Sequence, residues 1–423
     1  MECKRREVWA AEQAKVLSLH VKLLPFTDRL ARQRMAVLVM STMLFTMVDA
    51  AFDVVGPLWT TRELGLTNSG WAYLRSTRFL GTFLGIVVFG FLVERIGSRR
   101  MSGLALGCAG LALAGMSLGV PVGWMIPIYG ALVCTTYVNL NVLTQRVSSA
   151  QQGLANVIYR AAGAAAVIAA PILATQGGHA AGSYAPVLMI AALLLVVAGF
   201  LILFYPDAHL ARGPKATAGV VNGYRKAFAL RPLLALIALA QIFAGTAAPV
   251  VAFSALRFTR QLHLSDPVFG VICTTIAGVS LLGIISSSWL MQRLRPSRLL
   301  GFCWLGCSLA AVALGLSDSL TVAIMAYAVH VPLMAMRSVP ESLWVSRIAD
   351  AAGPDGPSQA MVFTVQKICQ AGTNVLMMAL VGVLEPHFGI AKLMFGCGVL
   401  GLPLAIAVIR LGKTQELNQE VRF

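Results

Sequence analysis

About twelve apolar runs, each long enough to cross a bilayer, fill most of this chain: 34–60, 70–93, 100–119, 123–145, 152–175, 184–205, 231–256, 267–291, 298–316, 319–346, 358–383 and 389–411. A membrane-spanning helix needs ~20 mostly apolar residues, and lipid tolerates only structures whose backbone polar groups pair internally. The runs therefore predict an all-α, polytopic membrane protein of about twelve transmembrane helices. Composition agrees. Hydrophobic residues make up 58% of the 423 and charged residues only 12%, half the ~25% of an ordinary soluble domain, and mean hydropathy is +0.78. A soluble enzyme, a disordered chain and a small secreted disulfide scaffold are excluded. Spacings such as Gly81/Gly85, Gly103/Gly107 and Gly115/Gly119 predict close helix packing.

The net charge is 33 − 17 = +16. Of the 33 Lys and Arg, 24 fall in segments that one side of a membrane would share, four on the other (Arg62, Arg257, Arg260, Lys392) and five inside spans. This positive-inside bias places both termini in the cytoplasm; the high Ala and Gly content hints at a GC-rich bacterial genome, so a bacterial inner membrane is the expected location. No nucleic-acid motif accompanies the charge, so lipid and not nucleic acid is the expected partner. Residues 7–30 hold no continuous apolar core, which argues against a signal peptide. Seven of the eight cysteines sit in apolar runs with no pairing pattern or metal-ligand spacing, and read as small core hydrophobes. No phosphate loop or nucleophile elbow is present; neither an enzyme nor a cofactor is expected.

The longest internal polar segment divides the chain: a cytoplasmic lead-in 1–33, a six-helix bundle 34–205, a linker 206–230, a second bundle 231–411 and a tail 412–423. The halves repeat. A shift of 198 residues lays Arg62-Glu63-Leu64-Gly65-Leu66-Thr67-Asn68 on Arg260-Gln261-Leu262-His263-Leu264-Ser265-Asp266, Gly85 on Gly283 and Arg100 on Arg298; a shift of 207 lays Arg160 on Lys367. Two parallel, pseudo-symmetric halves with a ligand site between them is a transporter plan.

Ionisable groups inside spans are costly and face the bundle interior. Asp49 and Asp53 share one helix face, at a depth similar to Arg78 on the second span. They form either a static pair or the site of a coupling proton, because burial and Arg78 pull a carboxylate's proton affinity in opposite directions. Arg160 and Lys367 either snorkel to headgroups or bind an anionic group of the solute. Arg337 and Glu341 read as a local pair, and His330 as a core histidine. Tyr137, Asn141 and Gln145 form one polar stripe; Gln366, Gln370 and Asn374 form another, and Gln241 lies in the seventh run. Such stripes either bond helix to helix or line a cavity. Tyr137, Asn141, Gln241, Gln370 and Asn374 join Arg78, Arg160 and Lys367 as candidate substrate contacts.

After the second run comes Gly90-Phe91-Leu92-Val93-Glu94-Arg95-Ile96-Gly97-Ser98-Arg99-Arg100. This resembles the Gly-x-x-x-Asp-Arg-x-Gly-x-Arg-Arg signature of the major facilitator superfamily, with Glu94 in place of Asp. The resemblance implies that fold, and implies that Gly90, Glu94, Arg95, Gly97, Arg99 and Arg100 form a latch between the halves. The first run, Asp49-Ala50-Ala51-Phe52-Asp53 through Pro57-Leu58, is similar to that of macrolide and catecholate-siderophore exporters. The expected function is secondary, proton-coupled transport of a small organic solute by a monomer working through alternating access. The solute is expected to be anionic, siderophore-like or drug-like, and export is favoured. Import of an anionic metabolite or a metal–siderophore complex is the alternative. A lipid flippase or a non-transporting scaffold is the reading from another class.

Overall fold

The computed structural model describes residues 29–145, 147, 152–206, 225–291, 293–351 and 359–420. The lead-in before Arg29, most of the linker and the last residues of the tail lie outside them. Every described element is helical: α1 (Arg29–Arg62), α2 (Asn68–Ile96), α3 (Ser98–Ser117), α4 (Val122–Gln145), α5 (Gln152–Ala181), α6 (Ala185–Leu203), α7 (Arg231–Leu256), a π-turn (Arg257–Gln261), α8 (Asp266–Leu290), α9 (Pro296–Leu316), α10 (Leu320–Met336), α11 (Ser338–Ala351) and α12 (Gln359–Glu420). Among the described residues nine stretches are long and apolar enough to cross a bilayer, and the 49 residues Thr364–Gly412 are long enough to do so twice. Inside α12, Gly389 takes φ 72°, a left-handed conformation that a Cβ disfavours, and breaks the helix into two arms. The tenth run is likewise two helices, α10 and α11, joined at Arg337. The fifth helix runs six residues beyond the expected end at 175.

Many large apolar side chains are more than half exposed, among them Leu111, Trp124, Phe200, Leu282 and Leu376. In water such a surface would aggregate; here it is the lipid-facing belt. The interior is made by close approach. A Cβ on Gly81 would stand 1.9 Å from the carbonyl oxygen of Pro127, one on Gly85 2.6 Å from that of Ala131, and one on Gly130 2.2 Å from that of Arg78. α2 and α4 thus touch backbone to backbone, which fixes where Arg78 and the α4 tyrosines stand. Gly103 plays the same part against Gly199 of α6, whereas Gly115 and Gly119 meet no neighbouring helix backbone. Overpacking costs ~1–3 kcal/mol. Gly81→Ala is expected to lower the apparent melting temperature of the detergent-purified protein by several degrees. An unchanged melting curve would show that the two helices separate at little cost.

Helices from before and after the linker meet along two seams, α2 against α12 and α5 against α8. Ser76 donates to the carbonyl of Val375 across the first, at 2.9 Å. Cross-linker contacts concentrate at the end of the bundle that carries Arg62. There Trp71 donates its indole N–H to the carbonyl of Ala252 (3.0 Å) and Asn68 donates to Glu385 (3.0 Å). One hydrophobic core joins both sets of helices at that end, with Trp71, Phe253, Phe258, Phe269 and Met378 in it. Toward the opposite end the later helices keep a separate core around Trp304, Trp344 and Val365.

Candidate functional site

The charges in the first spans collapse into one cluster. Asp53 Oδ1 accepts from Arg75 Nη1 at 3.0 Å and from Arg78 Nη1 at 2.6 Å, while Arg78 Nη2 bonds Asp49. The expected pair of one carboxylate with Arg78 is therefore a four-membered network, balanced at two charges of each sign. Aromatic faces cover it: Arg78 lies 5.3 Å from the ring centroids of Phe52 and Tyr129, and Arg75 5.9 Å from that of Trp71. Such contacts add attraction in a desolvated site. The phenols of Tyr129 and Tyr137 each donate to Asp49 from 3.4 Å.

Tyr137 reaches this cluster and yet is 37% exposed, so its ring opens onto space inside the bundle. Its α4 neighbour Asn141 is exposed too, its side chain turned back to the Tyr137 carbonyl at 2.9 Å. Across that space Lys367 of α12 has an accessible side chain. It donates to Gln370 at 2.9 Å and stands within electrostatic range of Glu341, Arg337, Cys134 and Arg160. Arg160 of α5 is exposed, and no described residue forms an ion pair with it. Arg337 faces Glu341 at 3.7 Å, and Glu341 also accepts from Gln366 at 2.5 Å. Among the described residues Arg160 and Lys367 are left without an ion pair within 4 Å, Glu341 being the carboxylate in electrostatic range of Lys367.

Gln241 and Asn374 are buried, and each has a side-chain oxygen without a partner. They sit in the interior, and no described hydrogen bond ties either side chain to the charged groups. His330 is fully buried with Nδ1 3.0 Å from the Cys307 carbonyl, a tie between α9 and α10 as a core histidine would make. In the signature segment Gly97 has φ 88° with nothing within 4 Å of a Cβ, so the left-handed turn between α2 and α3, not crowding, calls for glycine. Arg99 donates to the Tyr205 carbonyl at 3.2 Å and Arg100 is exposed. Gly90 lies in α2, and the side chains of Glu94, Arg95 and Gln145 lie outside the described residues. Nothing described joins the signature to the later helices.

Three groups escaped the sequence reading. Arg75 was visible only as one more intramembrane cation, and Tyr129, two helical turns before Tyr137, looked like ordinary core. The third is a polar knot at the Arg62 end. The two oxygens of Asp266 are held by Arg62, one through Nη2 at 2.8 Å, and the Tyr184 hydroxyl bonds the same carboxylate. Glu63 accepts from the Ser183 hydroxyl (2.7 Å) and the Tyr184 backbone N–H (2.5 Å). Burial and the bond to Asp266 push the Tyr184 phenol well above its usual range, so it remains a donor.

The family model of the Major Facilitator Superfamily matches residues 38–371. No curated protein matches the sequence. Among solved structures, a variant of the nucleoside transporter NupG superposes with a TM-score of 0.76 at 12% identity, covering 89% of this chain and 99% of its own. A bacterial homolog of the human lysosomal transporter Spinster, in an inward-facing and unoccupied conformation, gives 0.73 at 13%, covering 92% and 98%. A POT family transporter in complex with 5-aminolevulinic acid gives 0.71 at 12%, covering 90% and 96%. The intramembrane charges thus stand in a transporter scaffold and not in an enzyme, and the chain belongs to the Major Facilitator Superfamily.

Proposed function

We propose that this chain is a secondary transporter of a small organic anion, working by alternating access between a bundle at 34–205 and one at 231–411. The observation that carries the reading is that Arg160 and Lys367, exposed inside the bundle and in electrostatic range of each other, form no ion pair with any described residue. Unpaired cations inside a membrane protein are costly, and an anionic ligand offsets that cost through charge-assisted hydrogen bonds. Asp49 and Asp53 supply proton coupling. Asp53 is held by two cations and serves as their fixed counter-ion, while Asp49 has Arg78 alone and is the group that exchanges a proton. Among anions, the likeness of the first span to siderophore exporters favours catecholates for the first trial.

The test is a thermal-shift screen of the detergent-purified protein. The panel holds carboxylates, inorganic phosphate, iron-free and iron-loaded siderophores and cationic drugs, at pH 5.5 and 7.5. A ligand that binds only the folded state raises apparent stability, by about 2.7 kcal/mol at a hundredfold excess over its dissociation constant. Anions are expected to stabilise the protein, with the shift lost in Arg160→Ala and in Lys367→Ala. A single charge-assisted contact is worth ~1.5–3 kcal/mol, or roughly 10- to 150-fold in affinity. Stabilisation by cationic amphiphiles alone would overturn the anion reading and make Asp49 and Asp53 the binding groups.

A further inference from the structure

We propose that Tyr137 couples anion binding to protonation of Asp49, its phenol donating to Asp49 in the empty protein and to the bound anion in the loaded one. This rests on the central space being an anion site. The two carboxylates of the cluster are held unequally. Asp53 takes short bonds from two guanidinium groups, at 3.0 and 2.6 Å. Asp49 shares one of those groups and otherwise relies on two hydroxyls at 3.4 Å. The preferred O–H···O distance is ~2.7–2.8 Å, so both hydroxyls are weakly held.

Only one of them can leave. Tyr129 is fully buried, its ring 5.2 Å from Phe52 and under the Arg78 guanidinium. Tyr137 touches Phe45 edge-on at 4.6 Å and is 37% exposed, and Cys134, three residues before it on α4, lies within electrostatic range of both Asp49 and Lys367. It also lies within electrostatic range of Tyr159, the residue before Arg160. A carboxylate or phosphate held by the two cations offers this hydroxyl a better acceptor than a carboxylate 3.4 Å away. Tyr137 keeps its own proton throughout; only the acceptor changes.

The sign of the coupling follows. A donor stabilises the ionised carboxylate, so its departure raises the proton affinity of Asp49, which takes a proton from water in the cleft. By reciprocity a protonated Asp49 releases Tyr137 and tightens anion binding. Anion and proton therefore load together and move in the same direction. The charged and titratable groups around Asp49 are Asp53 on its own helix, Arg75 and Arg78 on α2, and Tyr129, Cys134 and Tyr137 on α4; on α5, Tyr159 lies within electrostatic range of Tyr137, and Arg160 of Tyr159. α6 brings no titratable group, and α7 only Arg231 at its first residue.

Two readouts on the full-length protein test this. The first needs no ligand: the infrared band of protonated carboxyl groups is followed through a pH titration and assigned to Asp49 by its absence in Asp49→Asn. Tyr137→Phe keeps the ring contact with Phe45 and is expected to raise the proton affinity of Asp49 about tenfold, one pH unit. An unmoved titration overturns the proposal. The second uses sulfate and methanesulfonate as probes, because neither changes its charge between pH 7.5 and 5.5. Affinity for the probe that binds is expected to rise about tenfold from pH 7.5 to 5.5, and to lose that dependence in Tyr137→Phe and in Asp49→Asn. Binding that keeps its pH dependence in Tyr137→Phe overturns the switch while leaving the anion site standing. Failure of both probes to bind overturns the anion site, and the infrared titration still decides whether Tyr137 controls Asp49.

Discussion

Replacing Asp53 with Asn is expected to destabilise the protein by about 3 kcal/mol, well above the cost of the same change at Asp49. Arg75 and Arg78 keep only 7% and 10% of their side chains exposed. Removing one partner of a buried pair costs ~3–5 kcal/mol, because the remaining charge is left without compensation. The low end applies, since Asp53 itself is 35% exposed and water can partly take its place. Arg75 would lose its only ion pair, its one described carboxylate contact being Asp53. Asp49→Asn should be milder, since Arg78 keeps Asp53, the new amide oxygen can still accept from Arg78 Nη2, and the other two donors are long hydroxyl contacts. Apparent melting temperatures of the two variants at pH 7.5 check this order. The double variant Asp53→Asn, Arg75→Gln should recover most of the loss, as expected for groups that act as a pair. Equal destabilisation by Asp49→Asn and Asp53→Asn would mean that the cations are shared evenly, and Asp49 would lose its claim to be the titrating group.

How much of this was legible beforehand depends on which physics wrote it. The spans were readable because lipid imposes length and apolarity on each helix separately, so windows of sequence carry the signal. Their ends were less so: the α5 extension to Ala181 and the break at Gly389 reflect packing and one backbone torsion. The meeting of Asp49, Asp53 and Arg78 followed from charge cost and equal depth. Arg75, three residues before Arg78, belongs to the same cluster on the same grounds, but depth does not say how many cations two carboxylates share. The exposed faces of Arg160 and Lys367 rested on a repeat register alone until the structure set them opposite each other. The knot around Asp266 stayed hidden because Arg62, Glu63 and Asp266 stand at span ends, where charges are ordinary. A signal was nonetheless present. The same 198-residue register lays Asn68 on Asp266, and each is the first residue of its helix, reaching across to the other bundle: Asn68 to Glu385, Asp266 to Arg62.

That pair of contacts closes the Arg62 end, and they should not contribute equally. In the alternating-access reading proposed above the halves part at this end, and the bonds at Asp266 then break in each cycle. Asp266→Ala removes a two-pronged Arg62 contact and the Tyr184 bond together. The Arg62 side chain is 39% exposed, so its freed charge finds water and leaves no buried orphan. The expected effect is therefore the net worth of the contacts, about 2–3 kcal/mol, a shift of roughly 30- to 150-fold toward the state open at this end. Asn68→Ala removes a single hydrogen bond to Glu385, and its effect should stay within about tenfold. Spin labels at Leu64 and His263, one on each side of the closed end, would read the change as a distance distribution. The native chain should give one short distance, and Asp266→Ala a second, longer population. An unchanged distribution in Asp266→Ala would mean that the apolar core around Trp71, Phe253 and Met378 holds this end shut by itself, and that the polar knot orients the helix ends without gating them.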